Sequence, residues 1–544
     1  MKITGAQAVV ECLKENKVEV VFGYPGGAIL PVYDSLIASG IHHVLVRNEQ
    51  GAAHNASGYA RVTGKVGVCI ATSGPGATNL ITGIATAYMD SIPIVAITGQ
   101  VSLQMIGRDV FQEVDITGAI EPFCKHSYLV KDAEEIPRIM AEAFYIARSG
   151  RPGPVLIDIP KDVAQQQMHY KYPSKVELRG YKPTIAGHPL QIKKVVQAIG
   201  DCTKPMICVG GGVISANACE EVLTLAEMIQ APVVNTLMGK GAFPEKHFLY
   251  AGMVGQHGSA AANKAVSQSD LLIILGARLG DRATGNVEHF AARAKIIHID
   301  VDPAEIGKNV STKIPIVGDI KHTLGQLIKH QPTRMENDWA NQVAQWKKNL
   351  AYPYTEEPSL NPRDILRKLS GMVDPQKTIL VTDVGQHQMW AGSHYRVERP
   401  RSFISSGGLG TMGYGLPAAI GAKIGDREKE IILLTGDGSF QMSVQELAVL
   451  MQEDIPVKIV LFNNNALGMV RELQQHYCES RYYQVYLKGN PDFGKLVNAY
   501  GIPSIKVEHP EGVADGLRQL LESKTSILIE LAIDVHDNVI PCSK

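Results

Sequence analysis

The chain has 544 residues, 45% of them hydrophobic and 20% charged, with 53 basic against 54 acidic side chains and a net charge of −1. That length is several times the ~100–200 residues of one domain; with an ordinary apolar share it predicts about three packed domains and excludes a disordered chain. The balanced charge leaves no footprint for nucleic acid or an anionic membrane, and no apolar run approaches the ~20 residues of a membrane span.

The opening segment MKITGAQAVVECLKENK mixes charged with apolar residues and reads as neither a secretory signal nor a transit peptide. The eight cysteines (Cys12, Cys69, Cys124, Cys202, Cys208, Cys219, Cys478 and Cys542) are scattered without a CxxC. They are expected to be reduced thiols in a cytoplasmic protein.

From residue 4 to residue 99, helical and strand patterns alternate. The helices are TGAQAVVECLKEN, AILPVYDSLIAS, QGAAHNASGYARVTG and GATNLITGIATAYMD; the strands are VEVVFGYPGG, HHVLVRN, KVGVCIAT and PIVAITG. Short apolar runs bounded by glycine, with helical segments between them, predict buried parallel strands. PTIAGHP (183–189) and HQPTRMENDW (330–339) read as connectors, giving domains at 1–182, 190–330 and 360–544. The middle part contributes KPMICVGGGVISANACEEVLTLAEM, DLLIILGARLGD and AKIIHIDVDP, a Rossmann-like series of strands that end in glycine or acid.

The first and third parts share a spacing. Thr72-Ser73-Gly74-Pro75-Gly76 ends one strand, and Pro93 opens the next element 21 residues after Thr72. Thr435-Gly436-Asp437-Gly438-Ser439 ends another, with Pro456 21 residues after Thr435, so the two pairs are offset by 363. The expected fold class is therefore α/β, with three doubly wound parallel-sheet domains, the first and third related and the middle one Rossmann-like.

The sharpest chemical constellation is TGDGSFQMSVQELAVLMQEDIPVKIVLFNNNALGMV. Asp437 lies at a strand-to-helix turn, and Asn464 ends the next strand 27 residues later. Parallel neighbours place such residues side by side at the edge where these folds bind ligands. A carboxylate, an amide oxygen and a backbone carbonyl are hard donors suited to Mg²⁺ shared with a diphosphate. Gly436 and Gly438 allow a close backbone approach, and the helix start offers N–H groups.

A GDG followed by NN at this distance resembles the signature of thiamine-diphosphate enzymes. FGYPGGAILPVYD, EQGAAHNASGYARVTGKVGV, TSGPGATNLITGIATAYMDSIPIVAITGQV, FQEVDI, RSGRPGPVLIDIPKDV, KIIHIDVDPAEIGKN and GGLGTMGYGLPAAIGA narrow the resemblance to the acetolactate (acetohydroxyacid) synthase catalytic subunits, over almost the whole chain.

The resemblance implies roles at matching positions. Glu49 takes the place of the glutamate that exchanges a proton with the cofactor's aminopyrimidine, a task suited to a carboxyl in a glycine- and alanine-lined site. Met412, Met442 and Met469 correspond to residues packed on the cofactor. Gly385, Gln386, His387, Gly410, Gly436, Gly438 and Ser439 surround its diphosphate, and Asp437, Asn464 and the Ala466 carbonyl hold Mg²⁺. Phe111, Gln112 and Lys161 stand at the mouth where the 2-ketoacid carboxylate arrives. Arg151, Gly210, Gly211, Gly212, Arg278, Asp281, Arg282 and Asp300 fall where the family binds FAD.

Three segments depart from the family pattern. Leu279-Gly280-Asp281-Arg282 replaces Phe-Asp-Asp-Arg, Gln256 stands for a methionine, and Leu473 for a tryptophan that shapes the acceptor pocket. The reaction implied is decarboxylation of pyruvate and transfer of the two-carbon unit to a second 2-ketoacid, pyruvate preferred. The product is 2-acetolactate, for branched-chain amino-acid biosynthesis. An FAD-independent catabolic synthase, and a thiamine-diphosphate oxidase or decarboxylase, remain open beside it, as does a silent paralogue acting as an assembly partner. The resemblance also implies a homodimer or homotetramer, and leaves open whether a small regulatory subunit is a further partner.

Overall fold

The computed structural model describes residues 1–334 and 337–539; Met335 and Glu336 of the second expected connector, and Cys542, lie outside them. The first unit contains β1 (Lys2–Thr4), β2 (Val20–Gly23), β3 (His42–Leu45), β4 (Gly67–Ala71), β5 (Ile94–Gln100), β6 (His126–Leu129), β7 (Val155–Pro160) and β8 (Gln167–His169). Strands β1 and β8 form a small antiparallel pair. The other six make a parallel sheet in the order β3-β2-β4-β5-β7-β6.

The middle unit contains β9 (Pro205–Val209), β10 (Val233–Asn235), β11 (Tyr250–Met253), β12 (Leu271–Leu275), β13 (Lys295–Asp300) and β14 (Ile314–Val317), ordered β11-β10-β9-β12-β13-β14. Counted from its own first strand this is 3-2-1-4-5-6, the Rossmann order. The third unit contains β15 (Thr378–Thr382), β16 (Phe403–Ile404), β17 (Glu430–Gly436), β18 (Lys458–Asn463), β19 (Ser504–Val507) and β20 (Ile527–Ala532), ordered β16-β15-β17-β18-β20-β19. Counted the same way, the first and third sheets are both 2-1-3-4-6-5. The shared offset of 363 thus joins equivalent strands: β4 with β17, and β5 with β18.

Local chemistry sets the elements. Helix Gly5–Glu15 opens with a capping box in which Thr4 and Gln7 satisfy each other's backbone N–H. GATNLITGIATAYMD, expected as one helix, is two, Pro75–Asn79 and Ile81–Asp90. Between them the Leu80 N–H bonds to Ala77 O, three residues back, and tightens the turn. Trp339, at the end of the second expected connector, is buried against the middle sheet and donates from its indole to Pro205 O at 3.0 Å.

The first and third units are welded through helices Glu49–Thr63 and Gly415–Gly425. A Cβ on Gly58 would lie 2.1 Å from Ala418 O, and one on Gly421 1.9 Å from Asn55 O, so the backbones touch. Phe22, Ala56, Ala60, Tyr414, Ala418, Leu433 and Leu461 belong to one apolar cluster running from sheet to sheet across this seam.

Candidate active site

Strands β17 and β18 are parallel neighbours with Gly436 opposite Phe462. Asp437 and Asn464, the residues that follow in each strand, therefore emerge side by side and line one cavity with Gly385, Gln386, His387, Met412, Gly436, Gly438, Ser439, Ala466 and Met469. Its floor is the crevice between β15 and β17, where the strand order reverses.

Asp437 is 2% exposed, and burial pushes its carboxyl up to about 6. Its Oδ2 accepts from Asn490 Nδ2 at 2.8 Å, and Gln441 Nε2 donates to both the Asp437 carbonyl and Asn490 Oδ1. Asn464 Oδ1 accepts from the Ala466 N–H at 3.2 Å. Asn465 adopts φ +53°, and the chain is pinned there by Leu467 N–H to Val485 O and Leu487 N–H to Asn465 O. Hydrogen bonds thus fix the two oxygen-bearing side chains and the turn carrying Ala466. Among the described residues there is no group of three or more His, Cys, Asp and Glu that could hold a metal. The donor set here has one carboxylate, one amide and a carbonyl, which suits a hard cation completed by phosphate and water.

The wall opposite is glycine-built for close approach. A Cβ on Gly468 would fall 1.9 Å from Gln386 Oε1, and Gly385 has φ +151°. His387 lines the cavity from a buried position; its Nε2 has no hydrogen-bond partner among the described residues, and burial lowers the ring to about 3, so it is neutral. Ser439 Oγ donates to Val384 O at 2.8 Å. Asp383 accepts from the N–H groups of Val384, Gly413 and Gly415, tying the 410–415 turn, which carries Gly410 (φ +73°) and Met412, to the 384–387 turn. Met442 lies beside Gly413 and is 55% exposed. The cavity therefore fits a diphosphate with its cation.

Glu49 lies elsewhere. It opens helix Glu49–Thr63 behind the Asn48 cap, half-buried, and its Oε2 accepts from Asn79 Nδ2 at 2.9 Å. Gly76 faces Glu49 Oε1, and Gly74 faces the backbone of Gln112, which has φ +59°. Glu49 and Gln112 thus flank the turn after β4, at the switch point of the first sheet, while Phe111 is 87% exposed. Lys161 follows the end of β7 on the same sheet edge. None of these residues lines the Asp437 cavity.

In the middle unit, Gly210 N–H bonds to Leu275 O and Gly212 N–H to Gly276 O, and a Cβ on Gly210 would sit 2.1 Å from Gly276 O. The 210–212 glycines, with Gly211 packed near Met238, serve this contact between the ends of β9 and β12. Asp300, at the end of β13, is buried and pushed up to about 6 by desolvation. Arg151 donates to Ser91, Asp302 and Glu305. Arg278 is half-buried among Arg151, Asp90, Glu305 and Asp300, with no ion pair among the described residues. Asp281 and Arg282 are exposed, and Arg282 donates to Gln256 Oε1 at 2.7 Å.

Asn490 and Asp383 carry no motif, and Asn79 sits in TSGPGATNLITG without being singled out there; each makes its contact because chain segments apart in sequence meet. No helix among the described residues is long and apolar enough to cross a membrane.

The chain matches the thiamine pyrophosphate enzyme family in three consecutive domains: the N-terminal TPP-binding domain over residues 3–119, the central domain over 192–327 and the C-terminal TPP-binding domain over 383–531. It is 48% identical over 543 residues to a probable acetolactate synthase large subunit of Methanocaldococcus jannaschii, covering 97% of this chain and 92% of that protein. It is 51% identical over 531 residues to an acetolactate synthase of Mycobacterium bovis, covering 95% and 86%. It is also 44% identical over 551 residues to the acetolactate synthase large subunit of Haemophilus influenzae, covering 99% and 96%.

Proposed function

The chain belongs to the thiamine pyrophosphate enzyme family, and we propose that it works as an acetolactate synthase, decarboxylating pyruvate and joining the two-carbon unit to a second 2-ketoacid to give 2-acetolactate and CO₂. The observation that carries this reading is the pairing of Asp437 with Asn464 in a glycine-walled cavity, within a chain collinear with acetolactate synthases.

When bound, thiamine diphosphate supplies an electron sink for decarboxylation. The protein's own part follows from the site. Asp437, Asn464 and the Ala466 carbonyl would hold Mg²⁺, and the turns at 385–387 and 436–439 would receive the diphosphate. The neutral His387 ring, which lines that cavity, can donate a hydrogen bond there. Met412 and Met469, which line the cavity, and the more exposed Met442 beside Gly413 would pack on the cofactor and keep water from the reacting carbon. Glu49 would exchange a proton with the aminopyrimidine, and Lys161 and Gln112, beside Phe111, would meet the 2-ketoacid carboxylate.

Because Glu49 does not line the Asp437 cavity of its own chain, the reading requires Glu49 from a second copy, and hence a homo-oligomer. The large-subunit names of the relatives support a smaller regulatory partner. Seven free cysteines among the described residues suit a reducing cytoplasm. FAD is proposed for the middle unit, where the unpaired Arg278 suits a phosphate and the strand-end Asp300 a ribose hydroxyl.

The test is product formation from pyruvate by cofactor-stripped protein given thiamine diphosphate and Mg²⁺, with and without FAD. Acetolactate that requires FAD is the expected result. Acetolactate without it would make the middle unit a spacer, and acetaldehyde or peroxide would overturn the synthase reading. Leu473, half-buried on helix Gly468–Tyr477, leaves less apolar contact for an acceptor's extra methyl than a tryptophan would. Such a contact is worth ~1–3 kcal/mol. From equal pyruvate and 2-ketobutyrate, 2-acetolactate should therefore at least equal 2-aceto-2-hydroxybutyrate; a large excess of the latter would contradict this.

A further inference from the structure

Strands β5 and β7 are parallel neighbours, with Thr98 opposite Asp158 and Gln100 opposite Pro160. Thr98 and Gln100 are two residues apart, so both point to the face from which Asp158 rises. Asp158 is 1% exposed and accepts at both oxygens: Thr98 Oγ1 donates to Oδ1 at 2.6 Å and Gln100 Nε2 to Oδ2 at 2.9 Å. The same Nε2 donates onward to Val114 O at 2.8 Å, while Gln100 Oε1 accepts from the Val101 N–H at 2.9 Å. The amide is thus fixed at both ends and cannot turn over without losing bonds.

Val114 belongs to the loop that presents Phe111 and Gln112. Within that loop the Glu113 carboxylate accepts from the N–H groups of Gly107, Arg108 and Val110, so the loop is a closed unit, and the Gln100 bond ties it to the sheet beside the packing of Gln112 on Gly74 and of Val114 on the apolar cluster. On the other side, Asp158 is followed two residues later by the end of β7, and the next residue is Lys161.

We propose that Asp158 and Gln100 are positioning residues that hold the 107–115 loop, with Phe111 and Gln112, in fixed relation to Lys161, so that the groups meeting the 2-ketoacid arrive as one preorganised set. This rests on the synthase reading for the identity of the substrate, but the tether itself does not.

The experiment uses the full-length holoenzyme. Asp158→Leu removes both acceptors at similar volume, so Gln100 Nε2 loses the partner that fixes it and its bond to Val114 O is no longer held. Deuterium uptake across 107–115 should rise, and KM for pyruvate should increase about tenfold with a smaller change in kcat. Affinity for thiamine diphosphate with Mg²⁺ should stay within about twofold, because neither Asp158 nor Gln100 lines the Asp437 cavity or bonds to Glu49.

The double variant Asp158→Asn, Gln100→Glu restores the 158–100 hydrogen bond with donor and acceptor exchanged but turns an acceptor toward Val114 O. Its thermal stability should recover while KM and loop exchange stay raised. If Asp158→Leu does not fold, Gln100→Met removes the tether alone and should give the same loop exchange and KM. Unchanged exchange and KM in these variants would overturn the proposal, as would joint recovery of stability and KM in the double variant. A wild type that makes no acetolactate would sink the synthase reading, and the exchange comparison would still decide the tether.

Discussion

Glu446 is wholly buried in the third unit, yet its carboxylate faces the first. Its Oε1 accepts from the Arg47 N–H at 2.9 Å, its Oε2 has no partner among the described residues, and Gly51 leaves it room. It therefore braces the turn from which Glu49 emerges. Burial pushes Glu446 from 4.5 up to about 7. A raised acid stabilises the fold fully below its unfolded pKa, and that contribution is lost as pH climbs through the folded one. Wild type should therefore lose up to about 3 kcal/mol relative to Glu446→Gln between pH 5 and pH 8. Thermal unfolding of both proteins across that interval checks this; a constant difference would contradict it. In the sequence Glu446 reads as an ordinary helix residue, because its partner lies 399 positions away. Asp437 and Asn464 were legible because adjacent strand ends and a short spacing bring them together, whereas Asn490, which donates to Asp437, has no local signal at all.

At the scale of elements, the helix pair Glu49–Thr63 and Gly415–Gly425 fixes how the first and third units meet. Gly421 allows backbone contact with Asn55, and a methyl there would lie 1.9 Å from Asn55 O. Gly421→Ala must push the helices apart, opening the seam on both sides, at a cost of about 2–3 kcal/mol. Calorimetry should show a lower unfolding temperature for the first and third units together; an unchanged transition would contradict this account of the seam. The strands and helices themselves were readable from apolar period and glycine punctuation, and the offset of 363 marked β4 with β17 and β5 with β18 as equivalents. The exchange of the last two strands, β20 and β19 in the third sheet and β7 and β6 in the first, was not readable. A buried apolar run shows that a strand exists; which neighbour it takes is decided by packing of helices far away in sequence.

At the scale of the molecule, the chain separates its chemistry. The first sheet presents Glu49, Gln112 and Lys161 on its carboxyl edge, the third presents Asp437 and Asn464, and the helix seam between them leaves these two sets apart within one chain. The middle unit, with the Rossmann strand order, sits between them in sequence and offers Arg278 just after β12, beside its switch point, and Asp300 at the end of the neighbouring β13. The proposed function requires a working site that combines the first unit of one copy with the third unit of another. Co-expression of Glu49→Gln with Asp437→Asn tests it most directly, with acetolactate formation from pyruvate as the readout. Each variant alone should be inactive, and the mixture should regain roughly a quarter of wild-type activity, because half the sites of each mixed dimer carry neither change. A mixture as inactive as its parts, from a preparation shown to contain mixed dimers, would mean that each chain builds its site alone.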